Sequence, residues 1–258
     1  MNPSSVGFIG GGRITRIILE GWRRSNSLPP HVEVSDPNAE SLRRLQTRFP
    51  SVAVSIEPTG AAAQEVVFLA TPPANVSDAA RQIAPKLGRE SIVVSLAPKL
   101  TLAALGALLN GFGRLARANP NAPSIVGAGF NPVAYSPALS AADRTRIRSL
   151  FSPLGECPEI TEDKIEAFAV FTAMGPTYLW FQMQALRELA VGLGLSQAEA
   201  DAGLRSLVTG AARTLLDSGL SPAEVMDLVP AKPLAEMEPQ VLEFYRTRIP
   251  AFHAKIKP

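Results

Sequence analysis

A doubly wound α/β fold is predicted for the first half of this 258-residue chain, and an all-helical domain for the rest. Three observations predict it. Apolar runs recur through residues 6–96 with helical patterns between them, a glycine-rich turn follows the first run, and strand patterns stop after the segment FSPLGECPEI. Continuous apolar strands separated by helices indicate a parallel sheet covered on both faces. Right-handed crossovers then wind it in both directions.

The elements follow in order. VGFIG (6–10) is a short apolar strand, and the triple glycine 10–12 leads into a helix with Ile14, Ile17, Ile18 and Trp22 on one face. HVEVSD (31–36) reads as a second strand, followed by a Pro-Asn turn and the helix AESLRRLQTRF. VVFLAT (66–71) and SIVVSL (91–96) are buried strands. A further strand ends near residue 118, where Asn119-Pro120-Asn121-Ala122-Pro123 follows. Two prolines forbid a regular helix or central strand there, so the backbone is stiff and its asparagines project from fixed positions. That is either an ordinary turn or a ligand-facing wall.

Residues 161–193 form one long apolar helical segment interrupted by Gly175-Pro176. A proline inside a helix lacks the N–H that would bond the carbonyl four residues back, here that of Thr172. The segment should bend, with the Thr172 carbonyl in need of another partner. Ser196-Gln197-Ala198-Glu199 and Ser221-Pro222-Ala223-Glu224 are capping boxes that start two more helices. Ala200, Leu204, Leu207, Val208, Ala211, Leu215 and Leu216 recur at helical spacing between them. So much apolar surface on a short helical domain predicts packing against a second subunit. The expected domains are 1–158, dinucleotide-binding, and 159–258, helical and dimerising.

Composition narrows the function. With 46% apolar and 19% charged residues, the chain has the makeup of a soluble globular protein. A net charge of +2 and the lack of a basic block give no reason to expect nucleic acid. No apolar run approaches the roughly 18 residues of a membrane span. The N-terminus reads directly into a strand, without a signal-peptide pattern. The single cysteine, Cys157, has no partner for an internal disulfide. A cytoplasmic protein is expected. No metal-ligand cluster is evident.

The sharpest motif is the first strand-turn-helix. Gly10 and Gly12 fit the first two glycines of G-x-G-x-x-G, while Thr15 stands where the third belongs. Gly10 permits the tight turn, and Gly12 lets the backbone approach a pyrophosphate at the helix N-terminus. Gly10, Gly11, Gly12, Arg13 and Ile14 are therefore candidate cofactor contacts. Asp36 ends the second strand, where a carboxylate accepts from an adenosine ribose or simply makes a turn with Pro37-Asn38. Arg43 and Arg44 are placed to reach a 2′-phosphate or to form a solvated helix face. NAD(H) and NADP(H) both remain open.

GFIGGGRITRIILEGW, VVSLAPKLT, RANPNAPSIVGAG, LFSPLGE, MGPTYLWFQMQAL and GAARTLLDSGLSPAEVMDLV occur in this order and spacing. Together they resemble the Δ1-pyrroline-5-carboxylate reductase family over nearly the whole chain. The resemblance implies an N-terminal Rossmann domain, a C-terminal helical domain that interlocks with a second subunit, and assembly into dimers or larger homo-oligomers. It implies that Pro120 and Asn121 line the nicotinamide end of the cofactor cleft, with Ala70 and Thr71 nearby. It also implies a small imine substrate, with Thr172 and Tyr178 as candidate catalytic residues.

The departures fall on the substrate side. The family's S-G-S-G-P-A-Y reads Thr172-Ala173-Met174-Gly175-Pro176-Thr177-Tyr178 here. Its S-P-G-G-T-T loop, which holds the substrate carboxylate, reads Val229-Pro230-Ala231-Lys232-Pro233-Leu234. The lysine of its A-V-K-P strand end is Pro72, and a usual glycine is Lys99. Lys232, a third candidate catalytic residue, replaces the lost carboxylate-binding amides with a point charge, serves as a proton donor, or is a solvated loop lysine. The expected function is NAD(P)H-dependent reduction of a cyclic imine to proline or a related product. The alternatives are a non-catalytic dinucleotide-binding dimeric module and a paralogue acting on another small imine or carbonyl. A β-hydroxyacid-type dehydrogenase is disfavoured, because Met174 and Gln182 stand where its lysine would be sought.

Overall fold

The computed structural model describes residues 3–257 and divides the chain into two compact units. The first runs through Met174 and includes the C-terminal residues from Phe252, and the second is Gly175–Ala251.

The first unit is built on a seven-stranded sheet in the order β3-β2-β1-β4-β5-β6-β8. Its strands are β1 (Ser5–Ile9), β2 (His31–Ser35), β3 (Ala53–Ser55), β4 (Val66–Leu69), β5 (Ile92–Ser95), β6 (Leu115–Ala118) and β8 (Val133–Tyr135). All neighbours are parallel except β6 and β8. The short strands β7 (Gly129–Phe130) and β9 (Gly155–Glu156) pair separately. The helices are α1 (Arg13–Arg24), α2 (Ala39–Arg48), α3 (Thr59–Ala62), α4 (Val76–Ile83), α5 (Leu102–Leu108), α6 (Ala141–Phe151) and α7 (Ile165–Phe168).

Every residue of β4, β5 and β6 is buried, and β4 and β5 accordingly read as apolar runs, while β6 carries the paired Arg117. The two faces of the sheet carry separate cores. On one, Phe8 stacks on Phe68 at 4.9 Å, with Trp22 and Phe151 packed around them. On the other, Leu69, Ile83, Val93 and Leu105 pack together.

The expected domain boundary at residue 158 lies 16 residues before the end of the first unit at Met174 (174 − 158). The physical reason is hydrogen bonding. Ile160 donates to the Val133 carbonyl at 2.9 Å. Fully buried Arg117 on β6 pairs with Glu166 of α7 and, at 3.1 Å, with Glu162. Breaking one side of such a buried pair strands a charge, so the segment stays with the sheet.

The predicted bend before Pro176 takes a specific form. The backbone of Ala169–Ala173 widens into a π-turn, and α8 (Gly175–Gly192) begins after it. The second unit continues with α9 (Gln197–Asp217), α10 (Pro222–Asp227) and α11 (Glu238–Ile256), the last of which ends in the first unit. Both expected capping boxes are present, Ser196 with Glu199 and Ser221 with Glu224.

Two groups on the first unit report its packing. Burial pushes the Cys157 thiol up to about 11, so it is not a reactive thiolate at neutral pH. Burial, reinforced by Cys157, pushes the Tyr135 hydroxyl up to about 12. Their ordinary values are 9.0 and 10.0. Between those values and the raised ones the folded chain holds protons that the unfolded chain has lost. Stability is therefore fully present below about pH 9 and declines as pH rises towards 12. Thermal melts from pH 7 to 11 should show this decline, with a shallower slope in Cys157→Ala. Alkylation of native Cys157 at pH 8 should run far slower than that of free cysteine, and an equal rate would contradict the burial.

Candidate functional site

The site is built where β1 ends. The Gly10 N–H donates to the Ser35 carbonyl at 2.7 Å, and the chain turns there with φ +113°. A Cβ on Gly10 would lie 2.6 Å from the Ala70 carbonyl oxygen, so only glycine fits. At the third position of the motif, fully buried Thr15 donates its hydroxyl to the Gly10 carbonyl at 2.5 Å. Its hydroxyl thus ties down the turn where a third glycine would merely make room.

The neighbouring strand fixes the other side. Asp36 accepts from the Gly11 N–H at 2.8 Å with one carboxylate oxygen and from the Asn38 N–H at 2.8 Å with the other. Ser41 donates to the Gly11 carbonyl at 3.3 Å. Between the two readings of Asp36, the turn role is present. A carboxylate has about four acceptor sites, so it retains capacity for a ribose hydroxyl.

The turn opens on a cleft of about 870 Å³, within the range of small-molecule and cofactor sites. Seven of the ten candidate cofactor residues line it: Gly10, Gly12, Arg13, Ile14, Asp36, Ala70 and Thr71. Gly11 lines an adjoining cavity with Arg13, Arg16, Arg44 and Arg48. There Arg44 pairs with Glu40 and Arg48 with Glu20. Burial raises Glu20, but Arg48 and Arg23 outweigh it and hold the carboxyl below its usual range.

Pro120 and Asn121 stand elsewhere. Both are buried and neither lines the cleft. Asn121 instead donates to the Thr172 carbonyl at 3.0 Å and accepts from the Phe130 N–H at 3.0 Å. It is the partner that the Thr172 carbonyl needs because of Pro176. In this chain the rigid asparagine segment acts as a strut.

Of the candidate catalytic residues, Thr172 belongs to the first unit and Tyr178 and Lys232 to the second. The Thr172 hydroxyl donates to the Phe168 carbonyl at 3.0 Å, leaving its lone pairs as acceptors. Tyr178 packs against Tyr245 with the rings tilted by 60° and their centroids 6.3 Å apart, and burial pushes its phenol above the usual value. Lys232 is exposed in a loop.

The sequence reading missed Ile56, Pro58, Pro72, Asn75, Leu96 and Pro98 as lining residues. Each lies just beyond the C-terminal end of β3, β4 or β5. The rule that open parallel sheets bind ligands there was the available signal.

A dinucleotide fits this lining. A Cβ on Gly12 would meet nothing within 4 Å, so space is open beside the start of α1. No side chain caps that start and no acid lies in its first turn, so its N–H groups suit a pyrophosphate. The Thr71 hydroxyl is buried without a partner, a group that a ligand would satisfy. Among the described residues no cluster of His, Cys, Asp or Glu suits a metal, and no helix is long and apolar enough to cross a membrane.

The fold and cleft define a Rossmann-type dinucleotide-binding protein with an appended helical unit. Residues 5–99 match the family described as NADP oxidoreductase, coenzyme F420-dependent, and residues 162–232 match pyrroline-5-carboxylate reductase dimerisation. The chain is 28% identical to a pyrroline-5-carboxylate reductase of Escherichia coli, over 87% of this chain and 84% of that protein. It is 27% identical to one from Corynebacterium melassecola, over 86% and 83%. The crystal structure of the Coxiella burnetii pyrroline-5-carboxylate reductase covers 100% of both chains at a TM-score of 0.75 and 25% identity. That of the Plasmodium falciparum pyrroline carboxylate reductase with NADP bound covers 100% of this chain and 98% of its own at TM-score 0.84, and at 17% identity it bears on the fold alone. The chain is thus similar to pyrroline-5-carboxylate reductases over most of its length.

Two pairs of variants test the site. Gly10→Ala should destabilise the fold by roughly 1–2 kcal/mol or more, from the left-handed strain alone, whereas Gly12→Val should melt as wild type yet bind dinucleotide at least about tenfold more weakly. Unchanged NAD(P)H affinity in Gly12→Val, followed by nucleotide fluorescence, would contradict the assignment. Asn121→Ala should cost roughly 1–3 kcal/mol for each backbone group it strands, while Ala122→Ser should cost little. Denaturant unfolding of the pair reads the difference.

Proposed function

We propose that the protein is an NAD(P)H-dependent reductase of Δ1-pyrroline-5-carboxylate, working as a cytoplasmic homo-oligomer in proline formation. The observation that carries the reading is the glycine-loop cleft with its open space at Gly12 and its unpartnered Thr71 hydroxyl. The likeness to pyrroline-5-carboxylate reductases supplies the substrate class. The non-catalytic module and the paralogue with another substrate gain no support from the relatives.

When bound, the nicotinamide supplies hydride to the C=N carbon. The chain's own residues do the rest. The turn Gly10–Gly12 and the start of α1 hold the pyrophosphate, with Asp36 beside the ribose. The Thr71 hydroxyl satisfies itself on the cofactor. Thr172 offers an acceptor next to the π-turn that Asn121 props. Tyr178, a phenol that is protonated at neutral pH, is the proton donor towards nitrogen. Lys232 brings positive charge to a loop whose Pro230 and Pro233 lack backbone donors.

The second unit supports the homo-oligomer. Ala200 is the one buried residue among the described residues of 175–251, while Phe181, Leu193 and Leu216 are 68%, 76% and 77% exposed. A helical unit without a core of its own needs another surface to cover it.

The test is oxidation of NADPH and NADH with Δ1-pyrroline-5-carboxylate beside a panel of other cyclic imines. Turnover with pyrroline-5-carboxylate is expected, reduced strongly in kcat by Tyr178→Phe. Tight nucleotide binding with no imine-dependent oxidation would overturn the reductase reading. Light scattering should give at least twice the chain mass, and a monomer would overturn the assembly.

A further inference from the structure

We propose that Lys99 is a specificity residue, a cation on a fixed backbone that takes the carboxylate of the substrate at the end of the cleft away from the phosphate seat; this rests on the reductase reading above. The first observation is backbone strain. Lys99 has φ +68°, and the only other non-glycine residues with positive φ among those described are Asn26 and Asn110. Asparagine tolerates the left-handed region because its short amide bonds locally, whereas lysine has no such compensation.

The strain is held from both sides. The Leu96 N–H donates to the Leu69 carbonyl at 3.0 Å, and Leu100 is buried in the core beneath β5. Thr101 caps α5 by accepting from the Ala104 N–H at 3.1 Å, and the Leu102 N–H donates to Glu162 at 2.6 Å. The loop therefore keeps its path whatever residue occupies position 99, and glycine would adopt that path with less strain. Lys99 itself is exposed and makes no hydrogen bond or ion pair with any described residue. The fold gains nothing from the lysine, and residues kept in such conformations cluster where a ligand uses them.

The second observation is position. Leu96 and Pro98, just before Lys99, line the cleft. Beside them, beyond the end of β4, the Thr71 hydroxyl is buried without a partner. The glycine turn is on β1, across β4 from β5. Two strand spacings come to roughly 10 Å, so the phosphate seat and Lys99 serve different parts of the cleft. Arg13 is the cation on the phosphate side. An anionic group on the β5 side then belongs to the second reactant, and for an imino acid that group is the carboxylate. A lysine meets it as a flexible point charge, without bidentate geometry.

The experiment compares wild type with Lys99→Gly, Lys99→Asn and Lys99→Arg. It reads melting temperature, NADPH affinity, KM and kcat for pyrroline-5-carboxylate, and inhibition by L-proline against its neutral amide. Lys99→Gly and Lys99→Asn should melt at or above wild type and bind NADPH within about twofold of it, but raise KM and the L-proline inhibition constant about tenfold. Inhibition by the amide should not change, and Lys99→Arg should restore most of the loss. Unchanged KM in Lys99→Gly would overturn the proposal while leaving the reductase reading intact. Loss of NADPH affinity in parallel would assign the lysine to a cofactor phosphate and overturn the carboxylate. A wild type that binds NADPH but neither reduces the imine nor responds to L-proline would remove the reductase reading, and the proposal with it.

Discussion

The backbone of β1 passes the end of β4 so closely at Gly10 that a single added carbon would lie 2.6 Å from the Ala70 carbonyl oxygen. That approach lets the chain turn between two buried strands and begin α1 directly above the sheet. Everything else at the cleft is arranged to hold it. Thr15 closes the turn from the helix side, Asp36 and Ser41 hold Gly11 from the second crossover, and Ala70 donates back to Ile9 at 2.8 Å. Because these groups satisfy one another, the N–H groups at the start of α1 are left for a ligand. The anion seat results from a well-bonded turn beside an uncapped helix, not from an excess of positive charge.

A second constraint starts from a missing donor. Pro176 cannot bond the Thr172 carbonyl, and the helix does not simply break. It widens into a π-turn, and the Asn121 amide, 51 residues earlier in sequence, takes the stranded carbonyl. The same amide accepts from Phe130. One buried side chain thus fastens the π-turn to the loop beyond β6, where Arg117 already pairs with Glu162 and Glu166. Polar pairs of this kind are costly to bury and costlier to break, which makes them suited to fixing one geometry.

How legible each feature was follows from the range of the forces behind it. Strands β1, β4 and β5 were plain because burial on both faces imposes continuous apolar runs. The capping boxes at Ser196 and Ser221 were plain because a cap is a local contact. Strands β7, β8 and β9 were not read, since two or three residues carry no periodicity. The need for a partner at Thr172 was legible from Pro176 alone, but its identity was not, because nothing local links Asn121 to residue 172. That bond ties the asparagine segment to residue 172, and the Arg117 pairs with Glu162 and Glu166 keep the chain beyond residue 158 with the first unit. In the site, the glycine turn was readable from its motif, whereas Leu96 and Pro98 belong to the cleft only through strand order.

The two units differ in where their stability comes from. The first carries two apolar cores, one on each face of its sheet. The second has a single buried residue, although its helices are well capped and rich in leucine. Capping and propensity give helices of this length only marginal stability in water, and tertiary packing must supply the rest. Among the described residues of 175–251 only Ala200 is buried, so the stability of this unit leans on association and should depend on concentration. The glycine turn has no such dependence, since every bond that shapes it lies inside the first unit. Dilution should therefore loosen the residues expected to handle substrate, Tyr178 and Lys232, before it disturbs the dinucleotide cleft.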